Sequence, residues 1–405
     1  MPDESSQRQR IAFITPRFGA GVVGGAEQMA GEAAFGLARR GHDVAVLTTC
    51  ARDHYTWAND FPAGVTEEGP VTVHRFETVA GADHLRWERL QQRLVSGDKL
   101  TEREEISWVN GRFRVPDLYL YLAGTAREYD ALVFSPYLSP TSFYCAGIAP
   151  ERTIIMPCLH DESYAHLQSV KAMLAGAAAV WFLTEPEHRL GHRLAPLPAE
   201  HPVIGGAVEV PTAYDPAGFR KRHRLERPFA LYAGRREEGK GWDQVLHGFG
   251  TAIVRHRLPF DLVTFGVGDP NVPVGLESRV IDLGYLDSAE VPDAFAAADC
   301  YLQPSVNESF SRTIMDAWLG GTLVIANGGS DVVGWHCERS GAGIVYRDEL
   351  ELAECLRFVA EAPEAAANIA GRGRDYVLSN YTWPRVLDAM ESSLAAMESS
   401  LEAKG

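Results

Sequence analysis

Short apolar runs alternate with longer segments of helical periodicity along almost the whole chain. Ile11-Ala12-Phe13-Ile14 reads as a strand, and a helix from about residue 25 to residue 40 follows, stopped by Gly41. Further strands are predicted at residues 43–49, 131–134, 153–156 and 179–183. The pattern restarts at residues 229–232 and continues at 260–265, 279–283, 299–303 and 322–326. These runs are continuously apolar, as expected of strands covered by helices on both faces of a parallel sheet. Two such series predict an α/β protein with two Rossmann-like, doubly wound domains, residues 1–206 and 207–382. The glycines of Val203-Ile204-Gly205-Gly206 form a hinge between them, and residues 383–405 return to helical spacing. Sheets of this kind bind ligands beyond the carboxyl ends of their strands, so a cleft between two facing domains is the expected site.

Composition narrows the function. The chain has 405 residues, too many for one ordinary core. No apolar run approaches the ~18 residues of a membrane span. The start, Met1-Pro2-Asp3-Glu4-Ser5, is polar and does not read as a secretory signal. Six scattered cysteines without a Cys-x-x-Cys pair suit a reducing cytoplasm better than a disulfide framework. A formal charge of −16 disfavours nucleic acid and tight binding to an anionic membrane. The basic run Arg220-Lys221-Arg222-His223-Arg224 reads as a solvated surface segment.

The residues with chemical interest fall just after predicted strands. Ser305-Val306-Asn307-Glu308-Ser309-Phe310-Ser311-Arg312 follows the strand ending at Gln303 and is expected to open a helix. Its N-terminal N–H groups attract anions. Asp316 lies eight positions beyond Glu308, about 12 Å along a helix axis. That spacing suits two ends of one elongated ligand with a charged middle, such as a sugar–diphosphate–nucleoside. Gly234-Arg235-Arg236-Glu237-Glu238-Gly239-Lys240 follows another strand, and Arg235 and Lys240 there suit neutralisation of a diphosphate, with Arg236 as a competitor. Gly266 and Gly268 end a third strand, and Tyr285 follows a fourth. In the first half, Gly24 and Gly25 lie in a glycine-rich turn before a helix, with Glu27 in its first turn. His160-Asp161 stands beyond the strand at 153–156. The histidines look dispersed, no metal-spaced His/Cys cluster is visible, and Asp-x-Asp is absent, so no metal is expected. Trp87, Trp108, Phe113, Tyr119 and Tyr121 lie in predicted helices, where aromatics either form core or stack on sugar faces.

Taken in order, Gly234-Arg235, Lys240-Gly241, Phe265-Gly266-Val267-Gly268, Pro304-Ser305, Glu308-Ser309-Phe310 and Asp316 resemble the pattern of the retaining glycosyltransferases of family 4. The resemblance runs from Ile11 to Trp383 and implies the two-domain GT-B fold. It implies a nucleotide-diphosphate sugar (UDP-, GDP- or dTDP-linked) as donor and transfer with retention and without a metal or other cofactor; the cysteine usage adds the expectation of a cytoplasmic enzyme. Residues 1–206 would bind the acceptor, 207–382 the donor, and 383–405 would cross back to the first domain. By the same resemblance Glu308 faces the transferred sugar, Arg235 and Lys240 the diphosphate, and His160 the sugar from the first domain. Gly24, Gly25, Gly234, Gly266, Gly268, Tyr285, Ser309, Phe310 and Ser311 would line the donor, and Asp161 the acceptor. The family places glutamate where this chain has Asp316, one methylene shorter, which weakens the expected ribose contact. A soluble acceptor, a natural product or saccharide precursor, fits the acidic chain better than a lipid-linked polysaccharide precursor. An epimerase-like enzyme or a degenerate nucleotide-sugar-binding scaffold are the alternatives.

Overall fold

The computed structural model describes residues 8–81 and 83–403, so the polar start at Met1–Ser5 lies outside the described residues. The chain divides into two compact units: Met1–Gly206 together with Trp383–Gly405, and Ala207–Thr382.

In the first unit the strands are β1 (Arg10–Ile14), β2 (Asp43–Thr49), β3 (Gly64–Glu68), β4 (Val71–Phe76), β5 (Val79–Ala80), β6 (Phe113–Arg114), β7 (Ala131–Phe134), β8 (Thr153–Ile155) and β9 (Ala179–Val180). Seven of them form one sheet in the order β3-β4-β2-β1-β7-β8-β9, parallel except for β3 at the edge. The strands read as apolar runs are the buried ones: every residue of β7 and β8 is inside, and β1 is buried from Ile11 onward. β3, Gly-Val-Thr-Glu-Glu, is almost wholly exposed and exists because it pairs with β4. Helix Trp383–Glu402 belongs to this unit. It buries Val386, Met390, Leu394 and Met397, and its Ser393 hydroxyl accepts a 2.8 Å hydrogen bond from the fully buried indole of Trp181.

In the second unit the strands are β10 (Phe229–Ala233), β11 (Asp261–Phe265), β12 (Val280–Asp282), β13 (Cys300–Gln303), β14 (Leu323–Asn327) and β15 (Gly343–Tyr346). They form an all-parallel sheet in the order β12-β11-β10-β13-β14-β15. Chain order reverses between β10 and β13, whose register pairs Ala230 with Cys300 and Leu231 with Tyr301. In an open α/β sheet that reversal leaves a crevice beyond the carboxyl ends of the two strands, because their helices cover opposite faces. The basic run at 220–224 is neutralised by acidic neighbours: Arg220 bonds Asp299, and Arg222 bonds Glu290 and Asp293. All six cysteines are free thiols, five of them buried.

Candidate functional site

The crevice at the β10/β13 reversal gathers most of the second-half candidates. Lys240 and Glu308 come from the loops after β10 and β13, 68 positions apart, and meet with Nζ 2.9 Å from Oε1. Lys240 also reaches the Ser305 hydroxyl at 3.5 Å. Glu308 is the more enclosed partner, its side chain 15% exposed against 30% for Lys240. A cation and a carboxylate are therefore held together at the mouth of the sheet.

Two glycines let the loops around this crevice pack closely on one another. Gly266 has φ +133°, and a Cβ there would lie 2.1 Å from the Gly234 carbonyl oxygen, so only glycine lets the ends of β10 and β11 close up. Gly268 accepts, through its carbonyl, a 2.9 Å bond from Arg236 Nε. Arg236 also bonds Asp282, the last residue of β12, at 3.2 Å and is buried, so it fastens its loop to the ends of β11 and β12. Arg235 is half-exposed and pairs with Glu237 at 3.1 Å. Tyr285 is 73% exposed.

The loop after β13 departs from expectation. The helix opens at Arg312, not before Glu308, because Ser311 adopts φ +66°, a left-handed conformation that breaks the helical run. The 12 Å helix-axis spacing between Glu308 and Asp316 is thus corrected: only Arg312–Leu319 is helical. Glu308 and Ser309 sit in the bend before it, half-buried, while Phe310 is buried against the rings of Tyr381 and His336. Gln303, the last residue of β13, holds this bend. Its Nε2 donates to Ser311 Oγ at 2.6 Å, and its Oε1 accepts from the Ser305 N–H at 3.2 Å. Sequence reading overlooked Gln303, although a polar residue closing an otherwise apolar strand is a visible signal. Asp316 is half-buried on the helix, one turn beyond its start.

In the first unit, the glycine turn after β1 is anchored by Arg17, also overlooked. Arg17 Nε donates to Glu27 at 3.0 Å, and the guanidinium bonds the Arg52 and Val23 carbonyls, each at 3.2 Å. Both side chains of the Arg17–Glu27 pair are nearly buried. A Cβ on Gly24 would lie 2.2 Å from Glu27 Oε2, whereas Gly25 faces open space. The signal for Arg17 was a charged residue three positions beyond the end of a buried strand.

His160 stands beyond β8, half-buried, with Nδ1 3.3 Å from Glu162 Oε1. The same Glu162 oxygen accepts a 3.1 Å bond from Tyr137 Oη. Glu162 thereby links His160 to a cavity of about 210 Å³ that Tyr137 helps to line. Asp161, by contrast, turns outward to His166 at 2.9 Å and Arg193 at 3.0 Å. The hydrogen bond from His166, then that from Arg193, holds its carboxyl below the usual range.

The cavity is walled by aromatic rings: Trp57 stacks on Phe113 with centroids 3.8 Å apart, and Trp108 stacks on Tyr164 at 5.4 Å. Arg112 lies over the Trp87 ring. Trp57 Nε1 and Ser169 Oγ are buried here with no hydrogen-bond partner among the described residues. Buried polar atoms are seldom left so, and these two add an unused donor and hydroxyl to a largely aromatic cavity. Trp87, Trp108 and Phe113 thus line a cavity, while Tyr119 is a half-exposed surface residue and Tyr121 bonds Tyr129 at 3.1 Å.

Beneath His160, the fully buried Glu187 accepts 2.6 Å bonds from the Leu159 and Leu183 N–H groups. Burial pushes its carboxyl up to about 8, against the pull of those donors.

Comparison with known proteins agrees with this picture. Residues 227–361 match the family model described as Glycosyl transferases group 1. Mannosylfructose-phosphate synthase of Agrobacterium fabrum is 29% identical over 129 residues, 27% of this chain and 28% of that protein. The 2-deoxystreptamine glucosyltransferase of Streptomyces kanamyceticus is 29% identical over 152 residues, 33% and 38% of the two chains. The chain thus spans well under half the length of these curated relatives. Among solved structures, sucrose-phosphate synthase from Thermosynechococcus elongatus superposes with TM-score 0.75 at 19% identity, covering 98% of this chain and 100% of that one. Anabaena HepE in complex with UDP-glucose gives TM-score 0.68 at 18% identity, covering 97% and 100%. The fold is that of the GT-B glycosyltransferases, two Rossmann-like units in one chain. The stretch similar to the Glycosyl transferases group 1 model lies wholly within the Ala207–Thr382 unit. Among the described residues, no helix is long and apolar enough to cross a membrane.

Proposed function

We propose that this protein is a retaining hexosyltransferase of glycosyltransferase family 4 that moves a sugar from a nucleotide diphosphate to a hydroxyl of a small saccharide or natural product. The observation that carries the reading is the Lys240–Glu308 contact at the strand-order reversal, within the segment that matches the glycosyltransferase family. A cation for the leaving diphosphate and a carboxylate for the sugar are the two charges that such a transfer requires side by side.

In this reading Lys240 and Arg235 neutralise the diphosphate as the bond from the anomeric carbon to phosphate oxygen breaks. Glu308 faces the positive charge that develops on the sugar. The acceptor hydroxyl bonds to the anomeric carbon on the face from which diphosphate leaves, and its proton passes to the departing phosphate oxygen. No metal takes part. Asp316 binds the ribose through water, its side chain being one methylene shorter than glutamate. UDP-glucose is the first donor to test, since HepE was crystallised with it.

For the acceptor, the aromatic cavity of the first unit is the natural receptor. Stacked rings suit the apolar faces of a sugar or cyclitol, and Trp57 Nε1 and Ser169 Oγ suit its hydroxyls. His160, tied to that cavity through Glu162 and Tyr137, positions the sugar hydroxyls. The partial likeness to a 2-deoxystreptamine glucosyltransferase and a sugar-phosphate synthase supports a small polar acceptor over a lipid carrier.

The test is a thermal-shift panel of UDP, GDP, dTDP and ADP with their sugars. A ligand at ~100 times its dissociation constant adds about 2.7 kcal/mol of stability. One nucleotide series should raise the unfolding temperature, and the anomeric proton of the product, read by NMR, should keep the donor's configuration. Absence of a shift from every member of the panel would remove the transferase reading.

A further inference from the structure

Three histidines of the first unit that look scattered in sequence come together in space. His188 and His192 sit four residues apart on helix Glu185–Leu194, a spacing that puts both rings on one helix face. His201 arrives from the segment that runs alongside β9. It is held on both sides by backbone: the Val180 N–H donates to the Glu200 carbonyl and the Phe182 N–H to the Pro202 carbonyl, both at 3.0 Å. One ring nitrogen from each of the three histidines lies within 4.8 Å of the others.

The second contacts of two rings determine which nitrogen is free. His201 Nδ1 lies 2.6 Å from the Pro198 carbonyl oxygen, so it carries the proton and leaves Nε2 with its lone pair. His188 Nδ1 faces Glu185 Oε1 at 3.8 Å, within a small rotation of a hydrogen bond. A ring whose far nitrogen is tied to a carbonyl or carboxylate is the usual form of a metal-bound histidine. His192 is exposed and free to close the remaining distance.

We propose that His188, His192 and His201 bind one divalent cation of the zinc type, with three imidazole nitrogens as ligands and the remaining position left to water. Nitrogens about 2.0–2.1 Å from a tetrahedral zinc stand roughly 3.4 Å apart, so the cluster contracts modestly on binding. Imidazole ligands select zinc, copper and nickel over magnesium or calcium. The cation clamps helix Glu185–Leu194 to the 198–201 turn. That helix carries Glu187, which supports the backbone N–H of Leu159 next to His160. The site is separate from the transfer chemistry and does not depend on it.

The experiment uses the full chain without a histidine tag, stripped with chelator and titrated with zinc sulfate. Calorimetry and metal analysis should give one zinc per chain, and zinc should raise the thermal midpoint. Cobalt in its place should give the visible absorption of a tetrahedral nitrogen site. H192A and H201A should each weaken binding by more than about tenfold, and E185Q by a smaller factor. H247A, an exposed histidine in the other unit, should bind as the parent does. His192 lies at the surface, so H192A should fold, as circular dichroism will check. Absence of stoichiometric zinc, or binding that survives both H192A and H201A, overturns the proposal. The donor thermal shift of H192A, measured alongside, keeps this outcome distinct from that of the transferase reading.

Discussion

Glu308→Gln separates the two charges of the donor crevice. Without ligand, Lys240 spends its charge on Glu308 at 2.9 Å. Their side chains are 30% and 15% exposed, so solvent screens much of the attraction, and a net worth of about 0.5–1 kcal/mol is appropriate. Glutamine keeps the shape and one acceptor but drops the negative charge, which releases Lys240 for phosphate. UDP should therefore bind as well as before, or roughly two- to fivefold more tightly, by the ratio of tenfold per 1.4 kcal/mol. Turnover should fall by about 100- to 1000-fold, the loss expected when one charge-stabilising contact of about 2.7–4 kcal/mol is removed from a transition state. Lys240→Met should act in the opposite sense on binding, weakening UDP by roughly ten- to a hundredfold, because a charge-assisted bond of about 1.5–3 kcal/mol is lost. Calorimetry with UDP and a coupled assay for UDP release measure both quantities on the same preparations. An E308Q protein that loses UDP affinity to the same extent as K240M, or keeps its turnover within threefold of the parent, would refute the assignment.

Four further outcomes follow from the geometry. Gly266→Ala should destabilise the second unit by about 3 kcal/mol or more, since it combines a forbidden backbone angle with a clash against the Gly234 carbonyl, while Gly25→Ala should be near neutral; urea denaturation compares them. Trp108→Ala should raise the acceptor KM while leaving the UDP shift unchanged, which steady-state kinetics will read. His336 is fully buried and burial pushes it down to about 3 from an ordinary 6.5. Its folded value lies below its unfolded one, so stability is complete above pH 6.5 and falls with acid, by about 2 kcal/mol at pH 5; urea midpoints for the second unit should drop between pH 7 and 5. Glu187 works the other way: its folded value near 8 exceeds the ordinary 4.5, so its contribution is full below 4.5 and is lost as pH rises through 8. E187Q should flatten that alkaline limb in the first unit, and an unchanged limb would count against it.

The buried strands were legible because each is a run of apolar residues with no polar face. The reading of 229–232 and 299–303 lands on β10 and β13, and the candidates that follow them could be found from position alone. β3 left no such trace: Glu67 and Glu68 lie in a strand only because β4 offers a partner, a non-local fact. The side chains that brace the crevices were hidden for the same reason. Gln303, Arg17 and Glu162 act on neighbours made by folding, and a sequence shows their charge or polarity without showing what they hold. Ser311 deceived in another way, since nothing in Phe-Ser-Arg marks a left-handed residue that delays a helix. His188, His192 and His201 looked dispersed because the turn that returns His201 to the helix is set by backbone bonds to Val180 and Phe182.

Helix Trp383–Glu402 completes a core whose other parts are encoded before residue 207. During synthesis the first unit must therefore wait, its Trp181 indole without the Ser393 acceptor, until the whole of the second has left the ribosome. The later-encoded unit has every piece it needs and is free to fold first. A chain truncated after Thr382 and released should consequently resist protease over residues 207–382 while its amino-terminal half is still cut.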